Sequence, residues 1–250
     1  MVMTAQLDRQ LEQPFALEGR RILITGAAGG IGNAAAEICA WQGAEIIRTD
    51  ILTKAAAHAR MSQLPGDYHQ VDLSDRAAVS ALADASGPVW AVIDTAGICP
   101  VDDWMEDAWE RAFDQVIDVN LRAPINLTRA YLPLMIKQGG GRFALCGSVS
   151  GRMGGVVCGP HYAASKGGLH SFTRWLAQKG TPHNVLVNAV APGSVDTPMA
   201  AQNNVDTSGY PQGRGGRPRE LGATLAFLCT PGAGFISGVV LDVNGGTYFG

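Results

Sequence analysis

At 250 residues the chain is long enough to bury one large core, and 46% hydrophobic residues is ordinary for a globular protein. Only 16% of the residues are charged and the net charge is −3, so the chain lacks the basic footprint of a nucleic-acid or acidic-membrane binder. So few charges also leave room for a large subunit interface. The five cysteines (Cys39, Cys99, Cys146, Cys158, Cys229) contain no CxxC pair, and the five histidines form no HxxxH or HExxH pattern. Neither a disulfide framework nor a metal site is expected, and reduced thiols in a cytoplasmic setting are.

Residues 1–19 carry charges throughout and have no apolar h-region, so they read as an extension and not as a signal peptide or a membrane span. A strand is predicted over Arg21–Thr25. It runs into Thr25-Gly26-Ala27-Ala28-Gly29-Gly30-Ile31-Gly32, with a helix over Ile31–Gln42 behind it. Glycines at Gly26, Gly30 and Gly32 let the backbone turn sharply and approach a pyrophosphate, and the helix N-terminus beside Ile31 supplies unpaired N–H groups. The second strand, Glu45–Asp50, ends on a carboxylate placed to accept both hydroxyls of an adenosine ribose and to repel a 2′-phosphate. Asp50 could instead cap the following helix. The glycine turn has no Lys or Arg, Ile51 stands where a basic residue could hold that phosphate, and Arg48 should point to the opposite side from Thr49. NAD is therefore expected over NADP.

Further along, strands are expected at Asp67–Val71, Val89–Asp94, Arg142–Cys146, Val185–Val190 and Val239–Val243. Helices are expected at Thr53–Gln63, Asp75–Ala85, Ala108–Lys137, Tyr162–Lys179 and Arg219–Cys229. Strand–helix alternation of this kind gives an α/β fold: a Rossmann-like, doubly wound parallel sheet of about seven strands in a single domain over 1–250, helices on both faces. The polar, glycine- and proline-rich stretch Met199–Pro218 is the exception and reads as a substrate loop.

Tyr162-Ala-Ala-Ser-Lys166 puts two side chains on one helical face. A tyrosine of ordinary pKa, about 10, is a poor base near neutrality. A lysine ammonium at about 4 Å contributes about 4 kcal/mol at an effective dielectric near 20, enough to lower the phenol pKa by up to about 3. Tyr162 could then exchange a proton with a substrate oxygen while a hydride moves to or from the nucleotide. Ser148 follows the strand RFALC at the edge where open α/β sheets bind ligands, with Ser150 its rival in the same turn. Asn120, a poor helix former inside a helical run, is either a satisfied core amide, a surface residue, or the holder of a water against Lys166.

Taken together these motifs resemble the short-chain dehydrogenase/reductase superfamily, in its single-domain branch of about this length. The resemblance spans Arg21 to Gly246 and adds the Asp72-Leu73 pair, Asp94-Thr95-Ala96-Gly97, Ala191-Pro192-Gly193 and Asn244-Gly245-Gly246, all in the family's order. It implies that Tyr162 is the general acid/base, that Ser148 positions the substrate oxygen, and that Lys166 binds the nicotinamide ribose and lowers the tyrosine pKa. Asn120 would hold the proton-relay water. Asp72 and Leu73 would flank the adenine, Ala96 and Gly97 the adenosine ribose, with Thr95 nearby; Pro192, Gly193, Val195 and Thr197 would contact the nicotinamide end. A homotetramer is the family expectation, with the helices over Ala108–Lys137 and Tyr162–Lys179 as its interface.

The sequence departs from the family in two places. Asp94-Thr95 stands where Asn-Asn is usual. Fourteen positions separate Ser148 from Tyr162, one more than the resemblance leads one to expect. The activity implied is NAD-dependent interconversion of a secondary alcohol and a ketone. The alternatives are an NADPH-dependent β-ketoacyl-type reductase, which Asp50 opposes, and a silent nucleotide-binding regulator, which the intact tetrad opposes. An extended-branch epimerase or dehydratase would need a larger C-terminal domain, and a halohydrin-type lyase an arginine at position 166. Substrate identity would rest on Met199–Pro218, Gly154–His161 and Tyr248-Phe249.

Overall fold

The structure, a computed structural model, describes residues 11–250 apart from positions 64, 108, 156 and 204. Most of the N-terminal extension, residues 1–10, and the expected helix start at Ala108 lie outside the described residues. Seven parallel strands run in the order β3-β2-β1-β4-β5-β6-β7. They are β1 (Arg21–Thr25), β2 (Glu45–Asp50), β3 (Asp67–Gln70), β4 (Ala91–Asp94), β5 (Gly141–Cys146), β6 (Val185–Pro192) and β7 (Val240–Val243). The expected strands match these within one or two residues at most ends. The chain reverses its winding between β1 and β4, and the crevice outside their C-terminal ends is the place where such sheets bind ligands.

Side chains alternate between the two faces of the sheet. Leu23, Ile47, Val92, Phe143 and Leu145 join Leu127, Tyr131 and Leu169 in one core. Ile22, Ile24, Ile46, Ile93 and Ala144 join Leu225 and Cys229 in the other. Helices cover both: α1 (Gly30–Trp41), α2 (Lys54–His58), α3 (Arg76–Ser86), α4 (Trp109–Ile117), α5 (Ala123–Lys137), α6 (Ser150–Met153), α7 (Pro160–Gly180), α8 (Pro198–Gln202) and α9 (Pro218–Leu228). Helices α1 and α9 pack closely, a Cβ at Gly222 falling 2.8 Å from the backbone of Ala34 and Ala35. Residues 11–20 belong to this second face: Leu17 is fully buried and its N–H donates to the Gln42 carbonyl at 2.8 Å. Among the described residues, no helix is long and apolar enough to cross a membrane.

Three expectations are corrected. The helix expected over Thr53–Gln63 stops at His58, because the chain turns at Arg60 and Met61 and Ser62 donates its N–H to Asn33 Oδ1 at 2.8 Å. The helix expected over Ala108–Lys137 is interrupted by a π-helical turn, Asp118–Arg122, between α4 and α5. The stretch Met199–Pro218 is not wholly loop. It opens inside α8, which Thr197 caps by accepting from Ala200 N, and it is tied back by a bridge between Val195 and Gly216.

Candidate active site

The glycine turn is shaped by its lack of side chains. Gly26 has a φ of +59° and lies so close to the end of β4 that a Cβ would sit 2.8 Å from Ala96 N. A Cβ on Gly32 would lie 2.3 Å from the Gly26 carbonyl, and one on Gly30 would lie 2.9 Å from Thr197 Cγ2. Gly29 begins α1 with extended backbone and no side-chain cap, leaving the helix N-terminus to whatever lies in front of it. A dinucleotide pyrophosphate fits such a cradle.

Asp50 is tied to that cradle. Its carboxylate accepts from Ala28 N at 3.0 Å and from Leu52 N at 3.3 Å, while α2 is capped by Thr53. The capping alternative therefore fails for α2. Arg48 is buried and reaches the Ser62 and Gly66 carbonyls, away from the ribose position, whereas Ile51 is exposed. On the next loop Asp72 accepts from Ser74 N at 2.9 Å, and buried Asn126 donates to the Leu73 and Ser74 carbonyls. Sequence reasoning missed Asn126.

The unusual Asp94-Thr95 pair closes the seam between β1 and β4. Thr25 Oγ1 donates to Asp94 Oδ1 at 2.5 Å, and Thr95 Oγ1 donates to the Thr25 carbonyl at 2.7 Å. Burial pushes the Asp94 carboxyl above its usual range, against the opposing effects of Thr25 and Lys166. Thr95's side chain is thus turned into the sheet edge and against Gly32.

Asn120, Ser148, Tyr162 and Lys166 converge on one cavity of about 280 Å³, although Asn120 itself stands just behind the wall, near Gly97. Asn120 sits in the π turn. Its amide exchanges two hydrogen bonds with the backbone of Ile98, at 2.9 Å each, and donates to Ser165 Oγ at 3.2 Å. Lys166 is buried and donates to the Cys146 carbonyl at 2.8 Å. Ser148 and Ser150 are separated by their partners: the Ser148 hydroxyl accepts from Ser150 N at 3.1 Å and hydrogen-bonds Tyr162, whereas Ser150 meets Cys158 at 3.4 Å.

One electrostatic expectation is overturned. Burial holds the Tyr162 phenol well above its ordinary range; the neighbouring Cys99, Cys146 and Cys158 add to this, and the Ser148 hydrogen bond works against it. Lys166 Nζ lies 5.7 Å from the Tyr162 ring centroid and is committed to a carbonyl, so its field does not outweigh desolvation.

Ile31, Thr95, Gly97, Pro192, Gly193, Val195 and Thr197 line the same cavity. Asp50, Ile51, Asp72 and Leu73 lie apart from it, along the ends of β2 and β3, so the expected site residues form a strip across the C-terminal edge of the sheet. Val157, Cys158, Asn203 and Tyr210 come from the stretches Gly154–His161 and Met199–Pro218 expected at the substrate, and Cys99 and Met153, which were not foreseen, complete the cavity. Gly155, with a φ of +76°, leaves space for a thiol; a Cβ there would stand 2.3 Å from Cys158 Sγ. Tyr248 and Phe249, expected at the substrate, instead line a neighbouring hollow of about 470 Å³ with Gln212 and Arg214.

Two buried histidines flank Tyr162 and Lys166 on α7. His161 accepts from Tyr162 N through Nδ1 at 3.0 Å and meets Asp102 through Nε2 at 3.3 Å. His170 accepts from Ser148 N at 3.4 Å, and burial, with Arg152, Lys166 and Arg174 adding, lowers its pKa to about 4, which keeps it a neutral acceptor. His170 follows Lys166 by four positions and Tyr162 by eight, a helical-face signal that was legible in the sequence.

Residues 26–248 match the family model described as enoyl-(acyl carrier protein) reductase. The 3-oxoacyl-[acyl-carrier-protein] reductase FabG of Vibrio cholerae is 35% identical over 243 residues, covering 93% of this chain and 98% of the relative. The acetoacetyl-CoA reductase of Allochromatium vinosum is 32% identical over 245 residues, covering 92% and 98%. A crystal structure of a 3-oxoacyl-[acyl-carrier protein] reductase from Brucella melitensis with bound NAD superposes with a TM-score of 0.85, at 30% identity, covering 96% of this chain and 95% of that one.

Proposed function

The chain belongs to the short-chain dehydrogenase/reductase superfamily, and on that premise we propose that it interconverts a secondary alcohol and a ketone with NAD, using Tyr162 as the general acid/base. The observation that carries the reading is the Tyr162 phenol, set beside Ser148 and Lys166 in a largely apolar cavity that Ile31 of the glycine cradle also lines.

Gly26, Gly30 and Gly32 admit the pyrophosphate, Asp50 accepts the adenosine ribose hydroxyls, and Lys166 binds the nicotinamide ribose. Asp72, Leu73, Ala96 and Gly97 flank the adenosine, and Pro192, Gly193, Val195 and Thr197 flank the nicotinamide. Bound NAD supplies the hydride acceptor and a positive charge beside the phenol. Because burial alone raises the Tyr162 pKa, the phenol is protonated at neutral pH and is suited to donate to a carbonyl oxygen. In the alcohol direction the phenol, deprotonated under the combined positive charge of Lys166 and bound NAD, takes the hydroxyl proton, with Ser148 holding the same oxygen and Asn120 linking Lys166 to solvent through a water. Asp50 and Ile51 together favour NAD over NADP, since the glycine turn carries no Lys or Arg and Ile51 stands where a basic residue could hold a 2′-phosphate.

The cavity also limits the substrate. Among its described lining residues only Lys166 is charged, so nothing there would pair with a carboxylate or phosphate beside the reacting carbon. An uncharged, largely apolar alcohol or ketone fits. A screen of neutral alcohols with NAD and neutral ketones with NADH, read at the nicotinamide absorbance, tests this. Turnover confined to charged substrates would refute it.

A second reading, reduction of a β-ketoacyl thioester, draws on the printed names of the relatives. Faster turnover of an acetoacetyl thioester with NADPH than of any simple ketone with NADH would favour it. The sparse charges and the exposed Trp175 on α7 support assembly through α5 and α7 as a tetramer; light scattering reads the mass directly.

A further inference from the structure

Of the three cysteines that line the cavity, Cys146 offers its carbonyl to Lys166, and the thiols of Cys99 and Cys158 are left unused by this chemistry. Cys99 follows β4, and Cys158 stands just before α7, after the left-handed glycines Gly154 and Gly155. They come from distant parts of the chain, yet their thiols are close enough to interact directly and both line the cavity. Both are partly accessible, unlike Cys39 and Cys229, which are fully buried in the core.

Each thiol is held in place by its own contacts. Asn203 donates to the Cys99 carbonyl at 3.2 Å, and Gly155 leaves a gap that the Cys158 sulfur fills. Cys158 also meets Ser150 Oγ at 3.4 Å. The Cys99 thiol, the Ser150 hydroxyl, the Cys158 N–H and nearby His161 all favour the Cys158 thiolate, against burial. Cys158 itself, with burial adding, keeps Cys99 protonated. An acidified, partly exposed thiolate beside a protonated partner thiol is the arrangement of an attacking and a resolving cysteine.

We propose that Cys158 and Cys99 form a peroxide-responsive dithiol, a modification site whose oxidation narrows the cavity beside Tyr162. The Cys158 thiolate attacks one oxygen of hydrogen peroxide, the O–O bond breaks, and with one proton taken up the products are the Cys158 sulfenic acid and water. The Cys99 sulfur then attacks the Cys158 sulfur, the S–O bond breaks, and the hydroxide leaves with the Cys99 proton as a second water. Two thiols and one peroxide become one disulfide and two waters. The bond draws the sulfurs to about 2.05 Å and pulls together the segments that carry them. The effect on turnover rests on the reading of this cavity as the active site; the disulfide itself does not.

The test uses the full chain, reduced, then exposed to hydrogen peroxide and mapped by peptide mass after alkylation of remaining thiols. The expected result is a Cys99–Cys158 linked peptide lighter by two hydrogens. Turnover should fall at least about tenfold in step with it and return on treatment with dithiothreitol. In Cys99→Ser, Cys158 should accumulate as a sulfenic acid that dimedone traps. In Cys158→Ser, no link should form and the variant should keep its own untreated rate under the same dose. Oxidation of one thiol without a link in the parent chain, a link between a different pair, or a link without loss of turnover would each overturn the proposal. If no alcohol or ketone turns over, the functional reading fails, whereas the linked peptide needs no turnover and still decides whether the dithiol exists.

Discussion

The glycine cradle and the rim of the cavity around Tyr162 are both made of loops at the same sheet edge, but they are held by different means. In the cradle, backbone touches backbone: Gly26 against Ala96, Gly32 against the Gly26 carbonyl, and Asp94 and Thr95 locked onto Thr25. In the rim, the chain passes through the short helices α6 and α8 and two successive left-handed glycines, and the cavity wall is made of Met153, Val157, Cys158 and Met199. The first arrangement leaves no slack and fixes where a nucleotide can lie. The second consists of side chains that can be exchanged without moving the sheet. On the proposed function, cofactor binding and substrate choice thereby fall to separate parts of one edge.

The boundary between the two is Tyr162, and the largest effect is expected there. Tyr162→Phe should reduce kcat about 10³-fold while NADH affinity, read by fluorescence titration, stays within a few fold; a near-normal rate would remove Tyr162 from the mechanism. A strike at the cradle should do the reverse. Gly32→Ala forces a Cβ to 2.3 Å from a carbonyl oxygen and should cost about 2 kcal/mol in NADH binding or in stability. Unaltered titration and melting curves would show that the cradle has slack after all.

Smaller changes sharpen the contrast. Asp50→Ala should narrow the preference for NAD over NADP by about tenfold, roughly 1.4 kcal/mol, measured as the ratio of kcat/KM values; an unchanged ratio would place discrimination elsewhere. In the rim, Gly155→Ala meets both a positive φ and the Cys158 sulfur, so it should lose about 1 kcal/mol of stability and raise KM while sparing cofactor affinity. A loss of NADH binding instead would mean the two regions are coupled.

The smallest effect concerns Asp94. Its folded pKa is raised, so its contribution to stability is present when it is protonated and is lost as pH rises through that value. Asp94→Asn keeps an acceptor for Thr25 without the charge. Its melting temperature should gain on the parent as pH rises above the ordinary carboxylate range, about 4. Parallel melting curves there would show that burial does not govern this carboxyl.

The strands and the cradle were legible because period, β-branching and glycine placement act locally. Tyr162 and Lys166 were legible from one helical spacing. What stayed hidden depended on contacts between distant segments. Asn126 reaches the loop after β3, Asp102 meets His161, and Cys99 meets Cys158, and no window of sequence contains both partners of any of these. The sign of the Tyr162 shift was also hidden, since spacing gives the position of a lysine but not how deeply the phenol is buried or that Cys146 would occupy the ammonium. The end of the helix expected over Thr53–Gln63 was set by Asn33, which lies on another helix.

The π turn at Asp118–Arg122 has a further consequence. Such a turn amounts to one residue more than an α-helix of the same span would hold, and that residue shifts the angular phase between α4 and α5 by about 100°. Upstream and downstream faces can then follow different masters: α5 keeps Leu127, Tyr131 and Met135 on the sheet while Asn120 looks toward Ile98 and Ser165. Removing one residue would restore an unbroken helical ladder and misalign one face or the other. The irregular turn is therefore a phase adjuster, by which a single continuous rod serves a packing surface and the polar contacts of Asn120, which no uniform helix could satisfy together.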